Sequence, residues 1–300
     1  MTTPVTIGQL IRATDYSTLA TQVNAELTRR GGGTPVTTSY SGQITAAHFN
    51  AINTTLQSAV TYPYNTGLTN LSVGSVITAA NYNNLLNAIN TAQGQIIHTQ
   101  GAAYNIVMNN AYFTSLGWDG VSPLVAYLTI NGIVGSTSTG SYALSLAGSY
   151  PTGSKIYIYN TSYIVGMGGN GCWGYVGPGT NGGPALQIAS GTNATWYITN
   201  TGTIGGGGGG GAASAYSGYG YYSGAGAGQN PGAVGYPATL TTGGANTYYT
   251  AQGGGLGQPG GDAPYTGPYG PYSGGAAGAA TSGAANAVWL NTGTRLGTIA

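Results

Sequence analysis

Charge is what this sequence has least of. Of its 300 residues, five are basic and four acidic, for a net charge of +1, where an ordinary soluble domain is about 25% charged. No basic field exists to hold nucleic acid or an anionic membrane. The acids Asp15, Glu26, Asp119 and Asp262 are scattered, and only His48, His98 and Cys172 join them as reactive groups. That set excludes most chemistry needing a metal cluster or a carboxylate pair, and it excludes a disulfide framework or zinc ribbon. We expect no cofactor, no metal and no enzymatic activity. No apolar run reaches the roughly 18 residues of a membrane span, so membrane insertion is not expected. The opening Met1-Thr-Thr-Pro-Val-Thr-Ile7 shows neither a basic nor an apolar leader stretch, from which we expect a chain made in a reducing cytosol. Low charge with abundant glycine is the composition of disorder, but this chain is 10% aromatic, with 25 tyrosines.

Three segments repeat at a constant offset of 33: GQLIRATDYSTLATQV (8–23), SGQITAAHFNAINTTL (41–56) and GSVITAANYNNLLNAI (74–89). Within each copy an aromatic is followed by apolar residues at i+3 and i+7, one stripe of an amphipathic helix. The stripes are Tyr16, Leu19, Val23; Phe49, Ile52, Leu56; and Tyr82, Leu85, Ile89. Thr45 and Thr78 occupy N-cap positions; Arg12 replaces them in the first copy, so a shorter helix capped by Thr14 is expected there. Two readings stay open. Either these stripes form the core of a small helical domain, or three equivalent units surround a pseudo-threefold axis and meet a trimeric partner.

Residues 124–204 read as strands, rich in apolar, β-branched and aromatic residues between Gly/Ser/Thr/Pro turns. A second echo, at an offset of 40, aligns Tyr157-Ile-Tyr-Asn-Thr-Ser-Tyr-Ile164 with Tyr197-Ile-Thr-Asn-Thr-Gly-Thr-Ile204. The Asn-Thr-Gly-Thr of 200–203 recurs at 291–294, which predicts that the terminal strand returns to the same sheet.

Of the 57 glycines, 41 follow residue 160, concentrated at 166–171, 205–211, 253–257 and 274–278. Between these tracts lie the aromatics Trp173, Tyr175, Tyr216, Tyr219, Tyr221, Tyr222, Tyr248, Tyr249, Tyr265, Tyr269 and Tyr272. Seven consecutive glycines cannot offset their ordering entropy by side-chain burial. They are either a flexible linker or an array ordered by backbone pairing, such as extended threefold helices packed side by side. Tyrosine among Ser, Gly and Asn is also the composition of adaptable binding loops, although the rings could equally pack between glycine segments.

Near misses carry no chemistry. Gly166-Met-Gly-Gly-Asn-Gly171 matches a dinucleotide fingerprint formally, but neither a helix nor the required acid follows. Gly148-Ser-Tyr-Pro-Thr-Gly-Ser-Lys155 is out of register for a phosphate loop and reads as a hairpin turn. No histidine is near Cys172 in sequence, and no catalytic constellation is present.

The alternation of glycine tracts with tyrosine segments over 160–300 resembles the distal tail-fibre adhesins of T-even-like bacteriophages. The I-T-A-x-x-aromatic-Asn pattern at 44–50 and 77–83 is similar to helical segments of phage fibre and virion proteins. The resemblance implies an attachment domain capping a trimeric fibre, a polyglycine-II helix sandwich and receptor-contacting loops. The expected fold is therefore mixed: helical repeats and attachment in 1–100, a β-rich connector in 101–160, and a polyglycine-II sandwich with Tyr-rich loops in 161–300. The nine helical stripe residues are the candidate attachment set and the eleven aromatics the candidate receptor set. Expected partners are a trimeric tail-fibre or other virion protein and a host outer-membrane protein or surface glycan, in a virion tail-fibre tip. The competing reading is a structural fibre or decoration subunit with no receptor.

Overall fold

A computed structural model of the chain describes residues 4, 11–29, 34–59, 68–93, 95–174, 176–214, 221–232, 235–246, 250–263 and 271–300. The chain divides into two compact units, Met1–Gln95 and Ile96–Ala300.

The first unit holds three helices, α1 (Ala13–Arg29), α2 (Ala46–Ala59) and α3 (Ala79–Gln93). Their first residues are spaced by the repeat. So are their start signals: the N–H groups of Arg12, Thr45 and Thr78 donate to Asp15 Oδ2 (2.8 Å), His48 Nδ1 (3.1 Å) and Asn81 Oδ1 (2.9 Å). Each is a capping interaction reaching back three residues. Asp15 thus does for α1 what His48 and Asn81 do for the others, and α1 begins at Ala13 rather than at a cap on Thr14. The apolar stripes converge on one core of Tyr16, Leu19, Val23, Phe49, Ile52, Leu56, Tyr82, Leu85 and Ile89, with Ala20, Leu86, Ala88 and Ala92. Asparagines tie the connectors down by gripping both backbone groups of one residue: Asn24 holds Val36 and Asn50 holds Leu71.

The second unit is a parallel coil. Each of the first four turns of the chain adds a strand to each of three sheets, and the last adds to two of them. The first turn supplies β1 (Gln95–Gln100), β2 (Ala103–Tyr104) and β3 (Ile106–Met108), then a short helix α4 (Asn110–Ser115). The second supplies β4 (Val125–Ile130), β5 (Val134–Gly135) and β6 (Leu144–Leu146). The third runs β7 (Lys155–Asn160), β8 (Tyr163–Val165), two short strands β9 (Trp173–Gly174) and β10 (Val176–Gly177), then β11 (Leu186–Ile188). The fourth runs β12 (Thr195–Asn200), β13 (Thr203–Gly205), the short β14 (Ala213–Ser214) and β15 (Tyr221–Tyr222), then β16 (Thr281–Ser282). The last supplies β17 (Ala287–Asn291) and β18 (Thr294–Leu296). The resulting sheet orders are β1-β4-β7-β12-β17, β18-β13-β8-β5-β2 and β16-β11-β6-β3.

Register follows the echo at 40: Tyr157 pairs with Tyr197 and Asn160 with Asn200. Alternate residues point inward, so Ile156, Ile158, Trp196 and Ile198 are buried in the core the three sheets enclose. On the opposite face Tyr127, Tyr157 and Tyr197 stack ring on ring, centroids 4.7 and 4.6 Å apart. At the corner, Asn160 Nδ2 donates to Asn200 Oδ1 (2.8 Å) and Asn200 Nδ2 to the Thr292 carbonyl (2.9 Å). The repeated Asn-Thr-Gly-Thr therefore marks a real return, with β17 beside β12 and β18 beside β13.

The expected polyglycine-II helix sandwich in 161–300 is not what the structure shows. The regular structure of that region is mostly parallel sheet, continuous with the turns before it. The reason is that Leu186, Ile188, Trp196, Ile198 and Ile204 bury themselves against the preceding turn, so the strands stack onward. Glycine enters instead as excursions between the second and third strands of turns three and four, residues 166–185 and 206–280.

Candidate functional site

The glycine run of the longer excursion is held chiefly by backbone pairing. Residues 205–211 are buried throughout and bond to segments far away in sequence. Gly207 N–H donates to Gly183 (2.8 Å), Gly208 to Ala227 (2.9 Å), Gly209 to Gln258 (3.1 Å) and Gly210 to Thr180 (2.9 Å). In return Gly278 donates to Gly207 (2.8 Å), Gly254 to Gly209 (2.8 Å) and Gly275 to Gly210 (2.7 Å). A Cβ on Gly207 would collide with the Met167 carbonyl, so only glycine lets these backbones approach. The linker reading of this tract is therefore set aside: every amide cited here has a partner, as a buried amide requires.

From this support two antiparallel pairs emerge. Val176 lies opposite Ser214 and Gly177 opposite Ala213; Tyr221 lies opposite Gly174 and Tyr222 opposite Trp173. Tyr222 is 46% exposed. Beside them Ser223 is fully buried; its hydroxyl donates to the Gly211 carbonyl (2.6 Å) and accepts from the Cys172 amide. Ser223 thus clamps the strand carrying Tyr222 to the seven-glycine run. Burial raises the Cys172 thiol pKa, which keeps it protonated and inert at neutral pH. Asn230 Nδ2 donates to the Ser136 carbonyl (2.8 Å), tying the longer excursion to the second turn of the coil. Sequence reasoning missed both Ser223 and Asn230, since a single Ser or Asn in a Gly/Ser/Asn-rich stretch carries no pattern.

Of the candidate receptor set, the structure brings Trp173 and Tyr222 opposite each other, with Tyr221 beside them in β15. Tyr272 is half-buried, and its carbonyl accepts from Ala263 (2.9 Å). Tyr175, Tyr216, Tyr219, Tyr248, Tyr249, Tyr265 and Tyr269 lie outside the described residues. The nine residues of the candidate attachment set are all buried, 0–1% exposed, against one another. The helical unit therefore presents other side chains to its surroundings. Among the described residues no group of three or more His, Cys, Asp or Glu could hold a metal ion, and no helix is long and apolar enough to cross a membrane.

A stacked parallel scaffold whose backbone-bonded excursions hold the exposed Tyr222 on a short strand pair has the build of a protein that presents a contact surface, as an adhesin does. The family model of the phage tail fibre adhesin Gp38 matches residues 89–300. The chain belongs to that family and is a phage tail fibre adhesin, a component of the virion tail. A solved structure, the gp37–gp38 adhesin tip complex of the bacteriophage S16 long tail fibre, resembles it at 25% identity with a TM-score of 0.52, covering 69% of this chain and 82% of that one. No curated protein matches the chain.

Proposed function

We propose that this adhesin forms the tip of its fibre and recognises the host cell through the aromatics of its glycine-walled excursions, by binding rather than catalysis. The observation that carries this is the pairing of Trp173 with Tyr222 on a support in which backbone bonds to backbone. A contact surface on such a support loses little entropy on binding, and tyrosine and tryptophan supply large contacts with few rotamers to freeze. The chain's near-zero charge suits an outer-membrane protein or a surface glycan reached without electrostatic steering. The same recognition role is assigned to Tyr175, Tyr216, Tyr219, Tyr248, Tyr249, Tyr265, Tyr269 and Tyr272 on composition. Residues 161–300 are then the recognition region and the N-terminal helical unit attaches the chain to the fibre, as the S16 tip complex pairs its gp38 with gp37.

The test is adsorption. Purified chain should bind host cells and block infection by its own phage. Replacing Trp173 and Tyr222 together by alanine should remove about 2 kcal/mol of binding, roughly thirtyfold, with the far-ultraviolet spectrum unchanged. A chain that neither binds cells nor competes is a structural subunit, and the reading fails.

A further inference from the structure

The parallel stack stops at an open end. Strands β17 and β18 each have a strand neighbour on one side only, so their outer edges have no strand partner among the described residues. Val288, Leu290 and Leu296 on these strands are exposed, and so is Ile299, which stands opposite Thr281 of β16. A strand edge flanked by apolar side chains is a template on which another strand can pair. The interior ladders of the coil also end here. In one, Leu128, Ile158 and Ile198 stand in register and are all buried; Trp289 is the last rung. In the other, Val134, Ile164 and Ile204 do the same, and the last rung is Arg295. After residue 160 the only charged residues are Asp262 and Arg295, so one of the two occupies the final interior position of the stack. Arg295 Cζ lies 4.7 Å from the centre of the Trp289 ring. The ring is itself fixed, since its N–H donates to the Ala284 carbonyl (3.0 Å). Among the described residues no acceptor takes the guanidinium N–H groups and no carboxylate pairs with it; the indole is its one partner.

We propose that this last turn is a latent self-association surface, fitted to the same turn of a second copy of this chain, and that Arg295 keeps it closed. The edge selects the partner. Unpaired strand backbone is complemented by strand backbone, and identical edges meet across a twofold axis, β17 beside the other copy's β17, in the commonest symmetry of assembly. The apolar side chains on these strands would favour that contact. Arg295 opposes it. Seating a second copy would take the guanidinium out of water, and the group facing it across the axis would be the same arginine. A buried charge without a counter-charge costs more than the apolar contact returns. Arginine suits the position because its stem covers the indole, and so the end of the core, while its charged head stays in solvent. An isoleucine there would continue the ladder of Val134, Ile164 and Ile204 and leave the end open to a further layer.

The experiment is sedimentation velocity of the full chain over a range of concentrations. Arg295→Ile should associate beyond the parent, its self-association constant raised about tenfold or more, with the far-ultraviolet spectrum unchanged. Arg295→Met removes the charge but keeps an unbranched stem on the indole; it should associate in the same direction, and it carries the test should Arg295→Ile not fold. Arg295→Lys keeps the charge and should sediment as the parent does. Adding Leu290→Asp to either uncharged variant puts a carboxylate on the exposed edge of β17 and should return it to the parent's state. Three results overturn the proposal: uncharged variants that sediment as the parent, a lysine variant that associates as strongly as they do, or association that Leu290→Asp leaves in place.

Discussion

In the helical unit, residues spaced by 33 meet at one place: Tyr16, Phe49 and Tyr82 turn inward and share a core. In the parallel unit, residues spaced by 40 never share a place. Tyr197 stacks on Tyr157 and Asn200 bonds Asn160, each copy one strand further along. The first repeat closes and the second stays open. In a closed triplet the helices share one core, so an insertion is confined to the loops that join them. An open stack needs only that each strand find its neighbour, so a corner can release a long excursion and resume. This is why the glycine tracts belong to the parallel unit, leaving after β8 and β13 and returning at β11 and β16.

The largest test of the open stack is its most voluminous fully buried side chain. Trp196 fills the interior of the fourth turn and its indole N–H donates to Thr192 Oγ1 (3.1 Å). Trp196→Ala should cost about 3–5 kcal/mol in denaturant unfolding of the parallel unit. Phe49→Ala should cost about as much in the helical unit, and near-ultraviolet and far-ultraviolet signals would separate the two.

The corner ladder comes next. Asn200→Ala removes the closer acceptor of the buried Asn160 amide and the Asn200 bonds to Thr292 and Thr294, and should cost about 1–3 kcal/mol. A similar loss is expected from Gly207→Ala, about 1–3 kcal/mol, because the new methyl meets a carbonyl rather than a movable side chain. Amide exchange across 205–211 should quicken in that variant; unchanged protection would show that the tract is not held by close backbone approach.

The closed triplet makes a prediction of opposite sign. The Tyr16 hydroxyl is buried without a partner, and the equivalent residue in the second repeat is Phe49. Burial, then the neighbouring Tyr82 and Tyr40, push the Tyr16 pKa upward, so the phenol stays neutral. Tyr16→Phe should leave stability unchanged or raise it by up to about 1 kcal/mol in thermal unfolding.

The smallest effect is an acid one. Asp119 accepts from the Ser122 hydroxyl (2.6 Å), the Ser122 amide (2.8 Å) and the Val121 amide (2.9 Å). These bonds, the Ser122 hydroxyl first, lower its pKa below the usual carboxylate value. The charged form is thus favoured in the fold, so its contribution is present above the unfolded pKa and is lost as pH falls through the lowered one. Exchange at the Val121 and Ser122 amides, corrected for intrinsic rate, should quicken only in that acidic window, and Asp119→Asn should abolish the step.

Much of this was legible before any coordinates. A spacing of 33 with i+3, i+7 stripes predicts three equivalent helices, because an apolar stripe at helical period has to be buried. A spacing of 40 across β-branched and aromatic strands predicts stacked equivalents, and the repeated Asn-Thr-Gly-Thr predicts the returning strand. The aromatics at 173 and 222 were legible as candidates, but not that they would face each other across a strand pair. Which role the stripe residues take was not legible either: they read as a core or as a contact set, and the fold uses them as core.

The sequence by itself determined the local elements, since periodicity, capping residues and β-propensity act between near neighbours. Tertiary structure alone decided what the glycines do. A glycine has no side chain to declare an inside or an outside; it offers one N–H, one C=O and the freedom to approach closely. Whether Gly207 pairs with Gly183 and Gly278, or with nothing, depends on backbones far away in the chain. The sheets that bring those backbones alongside are themselves chosen by the burial of Trp196, Ile198 and Ile204.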